Sequence, residues 1–209
     1  MRKGILFDLD GTLWDATNQI TYVWNTELKR QGIDREITVE EFKGCMGLNI
    51  DEIARRVLPG VSTSAVESVV NECERLECEH LSTHGAILFP NVVKVLDILQ
   101  KEYDLFIVSN CQVGYVEAFL NYYQLGHLFK DHECSGKTKM SKDKNIELVI
   151  ERNKLDECIY VGDTIGDYNA SLKAQIPFVY AAYGFGEVPE AKHKINSVDE
   201  LLEQVKIAF

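Results

Sequence analysis

Short runs of apolar residues recur along the chain and lead into polar residues. The run at residues 5–7 is followed at once by Asp8, and two later runs lead into Ser109 and Asp163. A continuous apolar run bounded by turn residues is typical of a strand buried on both faces of a sheet. We therefore predict strands at residues 5–7, 104–108, 158–161 and 178–181, and a weaker one near residues 131–134.

Between these runs, apolar residues recur every three or four positions, which is the spacing of a helix with one buried face. The predicted helices cover residues 92–103, 141–153 and 167–174, with another that follows Asn110 and runs to about residue 123. A last helix near the carboxyl end begins with a capping pattern, Ser197 and Glu200. Strands that alternate with helices imply parallel βαβ units, so we expect an α/β fold with a doubly wound parallel sheet.

Residues 15–86 have a different pattern, with helical spacing and no predicted strand before residue 104. Two helix starts have a capping pattern, Thr38 with Glu41 and Asn49 with Glu52. A long helix is predicted over residues 64–81. The chain thus has a helical block between its first strand and the rest of the α/β pattern.

Composition and charge restrict the classes of function. A chain of 209 residues, 45% hydrophobic and 26% charged, can bury a sizeable core. No apolar run approaches the roughly 20 residues of a membrane span, and the first run is too short for a signal peptide, so we expect a cytoplasmic protein. The formal net charge of −11 disfavours nucleic acid and anionic membranes as partners. The six cysteines form no CxxC pair and predict neither zinc nor disulfides.

The first strand leads directly into Asp8, Asp10, Gly11 and Thr12. Residues two apart point the same way in an extended chain, so both carboxylates are expected to face one site. An Asp-Gly pair also favours a hairpin, but helical spacing rather than a second alternating strand follows it. A buried strand that delivers carboxylates into a turn is typical of a site at the carboxyl end of a parallel sheet.

Asp163 and Asp167 follow a later strand, in Gly-Asp-Thr-Ile-Gly-Asp. Taken alone, Asp163 favours a simple helix cap. Together with Asp8 it favours a metal site, because clustered carboxylates need a compensating charge and hard oxygen ligands suit Mg²⁺.

Two further positions suit a phosphate group. Ser109 and Asn110 end a strand, and a hydroxyl with backbone N–H groups at a helix start binds phosphate. Among the neighbouring lysines, Lys142 is the preferred cation because it lies where a helix begins, while Lys137 and Lys139 stay open as alternatives.

Together these motifs resemble the haloacid dehalogenase-like (HAD) phosphohydrolase superfamily. The matching residues are Asp8-x-Asp10-Gly11-Thr12, Ser109-Asn110, Lys142 and Gly162-Asp163-Thr164-x-x-Asp167. The helical block resembles the α-helical cap of phosphoglycolate phosphatase-like and β-phosphoglucomutase-like members. This implies a Rossmann-like core at residues 1–14 and 87–209 and a cap at residues 15–86. Two departures are the absence of a proline after Lys142 and the presence of Gln175 where relatives have glycine.

The resemblance implies a Mg²⁺-dependent phosphatase acting on a small phosphorylated metabolite. Asp8 would be the nucleophile that forms an aspartyl-phosphate, and Asp10 the general acid and base. Asp8, Asp10, Asp163 and Asp167 are the expected metal ligands, with Gly11, Thr12 and Thr164 in support, and Ser109, Asn110 and Lys142 bind phosphate. Trp24, Asn49, Arg55 and Arg56 are cap residues considered for specificity. A β-phosphoglucomutase-type phosphomutase and a non-catalytic phosphate-binding regulator are the alternatives.

Overall fold

The computed structural model describes residues 1–209 as eight strands and ten helices. In chain order these are β1 (Lys3–Phe7), β2 (Trp14–Asp15), α1 (Thr17–Arg30), α2 (Val39–Lys43), α3 (Ile50–Val57), α4 (Thr63–His84), β3 (Ile87–Leu88), α5 (Val92–Leu99), β4 (Asp104–Ser109), α6 (Tyr115–Tyr122), β5 (Phe129–Cys134), α7 (Ser135–Thr138), α8 (Lys142–Asn153), β6 (Glu157–Gly162), α9 (Ile165–Lys173), β7 (Phe178–Ala181), β8 (His193–Ile195) and α10 (Leu201–Ala208). A 3₁₀ turn at Val198–Glu200 precedes α10. None of the helices is both long and apolar enough to cross a membrane.

Six strands form one parallel sheet in the order β5-β4-β1-β6-β7-β8. The central strand β1 pairs on one side with β4 and on the other with β6, so that Ile5 lies between Leu105 and Ile159. This confirms the predicted α/β fold with a parallel sheet. The register also places the carboxyl ends of β1, β4 and β6 next to one another, which is where ligands bind in such sheets.

Helices cover both faces of the sheet because alternate residues of each strand point to opposite faces. Ile5 and Phe7 belong to a cluster of 40 buried apolar residues that includes side chains of α5, α6 and α10. Leu6 lies on the other face, in a cluster of 11 buried residues that includes side chains of α8 and α9. Both faces are therefore buried, which explains why the strands are continuous apolar runs.

The helical block of residues 15–86 consists of α1 to α4. Its side chains Trp24, Phe42 and Val69 continue the larger apolar cluster of the sheet, and α4 packs against both α1 and α6. Both predicted helix caps are confirmed, because Thr38 and Glu41 form a reciprocal capping box and the Asn49 side chain accepts from the Glu52 N–H.

Three sequence predictions are wrong in detail. The short strands β2 and β3 pair antiparallel where no strand was expected, because two-residue strands show no alternation. The strand β8 was also not predicted, because its three residues are too few to show a pattern. Ser197 makes no side-chain cap and begins the 3₁₀ turn rather than the last helix. Gln175 has a left-handed backbone with φ of 58°, which explains why glycine would suit that turn.

Candidate active site

The chain turns sharply after β1, and Gly11 is required by two features of this turn. Its φ is 80°, and a Cβ placed on it would lie 2.1 Å from Asp163 Oδ2. The turn is closed by the Leu13 N–H, which donates to the Leu9 carbonyl, and by the Gly11 N–H, which donates to the Trp14 carbonyl. No hairpin with β1 forms. The Asp-Gly pair instead allows Asp163 to approach the end of β1 closely.

Three carboxylates meet at the carboxyl ends of β1 and β6. Asp8, Asp163 and Asp167 are buried, and their ligand atoms lie within 4.8 Å of one another. The Asp163 carboxylate accepts from the Phe185 N–H at 2.8 Å and, more weakly, from the Thr12 hydroxyl at 3.4 Å. The structure therefore brings together three of the four predicted metal ligands.

The start of α9 explains how Asp167 is positioned. Thr164 is the N-cap, and its side chain accepts from the Asp167 N–H. In return, Asp167 Oδ2 accepts from the N–H and hydroxyl of Thr164 at 2.9 and 2.7 Å. The helix cap is therefore Thr164 and not Asp163, which leaves the Asp163 side chain for the carboxylate cluster.

Lys142 lies between two of these carboxylates. Its Nζ donates to Asp167 Oδ1 at 2.6 Å and lies 3.0 Å from Asp8 Oδ1. Burial opposes its positive charge, but Asp167 and Asp8 outweigh this effect and raise the pKa of Lys142. The other candidate lysines form no ion pair with these carboxylates, since Lys137 pairs with Glu133 at 3.4 Å and Lys139 is exposed at the end of α7.

The Asp10 side chain does not join the cluster. It accepts from the Tyr115 hydroxyl at 2.9 Å and lines a cavity between the sheet and the helical block. Burial, followed by the charge of Asp8, raises the pKa of Asp10 to about 8. Asp10 thus holds a proton near neutral pH, and its role as a metal ligand stays a prediction.

Ser109 and Asn110 end β4 beside Asp8, and both line the same cavity. The Asn110 amide donates to the Gly47 carbonyl at 2.9 Å and accepts from the Ser135 hydroxyl at 2.9 Å. The prediction that a helix begins directly after Asn110 is wrong, because α6 begins at Tyr115 with Gly114 as its N-cap. Any phosphate contact here would therefore use the loop and not a helix terminus.

A sequence model of the haloacid dehalogenase-like hydrolases matches residues 5–181 of this chain. The chain belongs to this family. It is also 26% identical over 195 residues to the phosphoglycolate phosphatase of Aliivibrio fischeri, an alignment that covers 88% of this chain and 85% of that protein. This HAD chain is a phosphohydrolase, and its sequence resembles the phosphoglycolate phosphatases.

Solved structures show the same fold. The structure of a predicted phosphoglycolate phosphatase from Haemophilus somnus superposes with a TM-score of 0.86 at 19% identity and covers 97% of both chains. A haloacid dehalogenase-like family hydrolase from Streptococcus pneumoniae superposes with a TM-score of 0.81 at 21% identity, again covering 97% of both chains. At these identities the likeness concerns the HAD fold.

The charges of the cluster in this hydrolase fit a divalent cation. Burial, followed by the charge of Asp167, raises the pKa of Asp8 to about 6 in spite of Lys142. Burial and the charges of Asp167 and Asp8 likewise raise the pKa of Asp163. Three ionised carboxylates and one ammonium carry two excess negative charges, and the donors are all oxygen. This set matches the charge and ligand preference of Mg²⁺.

The side of the cavity formed by the helical block contains residues that sequence analysis missed. Glu77 of α4 lines it and accepts from Trp24 Nε1 at 2.5 Å and from Gln112 Nε2 at 2.6 Å. Burial raises the pKa of Glu77 to about 7. A signal was present, because Glu77 lies four residues from Cys73 and from Leu81 on the buried stripe of α4.

The four cap residues that the sequence analysis considered for specificity differ in whether they line the cavity. Trp24 lines the cavity, whereas Asn49 uses its side chain to cap α3. Arg55 and Arg56 are exposed on the outside of α3 and do not line the cavity. Of the four, Trp24 is therefore the residue that lines the same cavity as the predicted nucleophile.

Proposed function

We propose that this phosphohydrolase is a Mg²⁺-dependent phosphatase of small phosphomonoesters that works through an aspartyl-phosphate on Asp8. The observation that carries the proposal is the position of Asp8, at the end of the central strand and 3.0 Å from the ammonium of Lys142. A carboxylate beside a cation is suited to attack phosphorus, because the cation reduces its repulsion from the phosphoryl oxygens.

Asp10 is the proposed general acid and base. With a raised pKa it is protonated near neutral pH and can give its proton to the leaving oxygen. After the alcohol leaves, the ionised Asp10 takes a proton from the water that attacks the aspartyl-phosphate. The Tyr115 hydroxyl, 2.9 Å from Asp10 Oδ1, holds this carboxyl group toward the cavity.

Ser109 and Lys142 are the proposed phosphate-binding groups, with Asn110 shaping the loop between them and the helical block. Asp8, Asp163 and Asp167 would hold Mg²⁺, which would add positive charge next to the phosphoryl oxygens in the transition state. The retained Asp10 favours an enzyme over a phosphate-binding regulator, because simple binding requires no proton donor. The phosphomutase alternative uses the same residues and stays open.

Asp8→Asn tests the proposal. We expect turnover of p-nitrophenyl phosphate with Mg²⁺ to fall by roughly four orders of magnitude or more, because the nucleophile is lost. Asp34→Asn, the same change at an exposed loop position, should leave the rate unchanged. Removal of Mg²⁺ with a chelator should abolish the wild-type rate. An Asp8→Asn protein that folds and keeps its activity would refute the proposal.

The alternatives and the substrate are separated by product analysis. Phosphoglycolate is the first substrate to test, because curated relatives are phosphoglycolate phosphatases. The protein would be supplied with a sugar 1-phosphate and the corresponding bisphosphate. A phosphatase would release inorganic phosphate, whereas a mutase would produce the 6-phosphate isomer. The cytoplasmic location stays a prediction.

A further inference from the structure

A further buried carboxylate lines the cavity from the helical block, in addition to Asp8 and Asp10 of the sheet. Glu77 is 4% exposed, and it lines the same cavity as Asp8 and Asp10. We propose that Glu77 selects phosphomonoesters whose leaving group has a hydrogen-bond donor, a hydroxyl or an ammonium, and disfavours those whose leaving group has a carboxylate. This inference rests on the phosphatase function proposed above and names its substrate class.

Glu77 has unused capacity to accept hydrogen bonds. One oxygen accepts from Trp24 Nε1 and the other from Gln112 Nε2. A carboxylate has about four acceptor sites, so about two are free for a ligand. The two bonds also fix the side chain, since Trp24 belongs to α1 and Gln112 to the loop after β4. A donor on the leaving group would therefore meet an acceptor that is already oriented.

The lining of the cavity contains no positive charge. Apart from Asp8, Asp10 and Glu77, it consists of neutral polar and apolar side chains, with no lysine, arginine or histidine. Lys142 is not among these lining residues; it pairs with Asp8 and Asp167 and lines a neighbouring pocket that shares Asn110 and Gln112 with the cavity. A carboxylate on a leaving group that reaches Glu77 would thus lie near Glu77 and Asp10 with no cationic side chain in the lining of the cavity. Like charges placed together in this way reduce affinity.

Phosphoglycolate has such a carboxylate. The curated relatives are phosphoglycolate phosphatases, so phosphoglycolate would be the expected substrate. The acidic side chains of this cavity disfavour its carboxylate. The competing explanation is that the bond between Glu77 and Gln112 only attaches α4 to the sheet. In that case a change at Glu77 would affect all substrates equally, and the two roles can be distinguished by comparing leaving groups.

The test uses three two-carbon esters that differ at one end: 2-phosphoglycolate, 2-hydroxyethyl phosphate and 2-aminoethyl phosphate. At pH 8 with Mg²⁺, we expect kcat/KM of the wild type to be at least about tenfold higher for the hydroxyl or the ammonium ester than for phosphoglycolate. The ratio of kcat/KM for 2-hydroxyethyl phosphate to kcat/KM for 2-aminoethyl phosphate identifies which donor is preferred. Glu77→Gln should reduce the preference over phosphoglycolate by roughly tenfold.

Glu67→Gln is the matched control, because it is the same change at an exposed position of the same helix, and it should leave all three values unchanged. A wild type that prefers phosphoglycolate, or a Glu77→Gln protein that shifts all three esters equally, would overturn the inference. Hydrolysis of p-nitrophenyl phosphate reports the phosphatase function separately. Calorimetric affinities of the three esters for the Asp8→Asn protein test the same order without turnover, and equal affinities would also overturn it.

Discussion

Asp8 and Asp10 are two residues apart, yet their surroundings give them different chemistry. Asp8 joins the carboxylate cluster beside Lys142, whereas Asp10 accepts from Tyr115 and lines the cavity. Burial raises both pKa values, to about 6 for Asp8 and about 8 for Asp10. The group with the lower pKa is suited to attack as a carboxylate, and the group with the higher pKa is suited to donate a proton.

Asp10→Asn should slow turnover of p-nitrophenyl phosphate by about 10²–10⁴-fold, because general acid and base assistance is lost. Asp8 keeps its carboxylate, so phosphate can still be transferred to it and its release should become slow. Intact-protein mass spectrometry after acid quench would detect the added phosphate. A rate near that of the wild type would show that Asp10 has only a structural role.

Glu77 also makes the stability of the protein depend on pH. Its pKa rises from 4.5 in the unfolded chain to about 7 in the folded protein because of burial. Between these values the folded protein keeps a proton that the unfolded chain has released, so the free energy of unfolding falls as the pH rises through this window. Above pH 7 Glu77 is ionised in both states, and the loss of unfolding free energy caused by its burial reaches its full value.

Glu77→Gln should remove this penalty. Relative to the wild type, the free energy of unfolding of the variant should increase by about 2 kcal/mol between pH 5 and pH 8. Urea unfolding at the two pH values measures this difference. Glu67→Gln, on the exposed face of α4, should show no such trend. An equal trend in both variants would mean that Glu77 is not the titrating group.

At the scale of elements, the start of α9 has two roles. The capping box of Thr164 and Asp167 stabilises the helix, and Asp167 is at the same time a carboxylate of the proposed metal site. Thr164 provides both bonds to Asp167 Oδ2, while Oδ1 faces Lys142. The helix cap therefore fixes the direction of a metal-binding group.

Thr164→Ala should reduce the free energy of unfolding by about 1 kcal/mol through loss of the cap. It should also weaken Mg²⁺ binding, because the hydroxyl no longer orients Asp167. Thr38→Ala removes the equivalent cap of α2, whose partner Glu41 is not part of the cluster, and should cost similar stability without an effect on Mg²⁺ binding. Calorimetric titration with Mg²⁺ measures the difference. Equal Mg²⁺ affinity in the two variants would contradict the dual role.

At the scale of the whole molecule, the helical block covers the carboxyl end of the sheet. The loop before α3 touches the site, since Gly47 accepts from Asn110 and a Cβ on Gly47 would lie 3.0 Å from Thr164 Cγ2. The cavity left beneath is about 50 Å³, which holds only a few water molecules. This space is smaller than a phosphorylated metabolite, so we expect the block to move before such a substrate enters.

We predict that α1 to α4 move as a unit about the two-stranded ribbon of β2 and β3. Closure would exclude water and complete the site. Hydrogen exchange with Mg²⁺ and beryllofluoride should show increased protection of the ribbon and of residues 44–49 compared with Mg²⁺ alone. The central strands β1 and β4 serve as the internal control and should not change. Identical exchange at the ribbon, with the analogue shown to bind, would contradict the moving cap.

The sequence by itself determined the architecture and the chemical types of the site. Continuous apolar runs predicted the buried parallel strands, because a strand covered on both faces needs no alternation. The polar residues that follow the runs predicted a site at one edge of the sheet, and Asp8, Ser109 and Asp163 do meet there. These features are local or follow from parallel connectivity, so a pattern along the chain is sufficient to predict them.

Only the tertiary structure decided which of these side chains meet and with what charge. Lys142 rather than Lys137 lies beside Asp8, because the packing of α8 brings its first residue to 3.0 Å from Asp8 Oδ1 while Lys137 pairs with Glu133. Asp10 leaves the carboxylate cluster because the turn at Gly11 directs it to Tyr115. Glu77 lines the cavity from α4, and it is separated from its hydrogen-bond partner Gln112 by 35 positions in the sequence. Such long-range contacts leave no period in the sequence, because they depend on how whole elements pack.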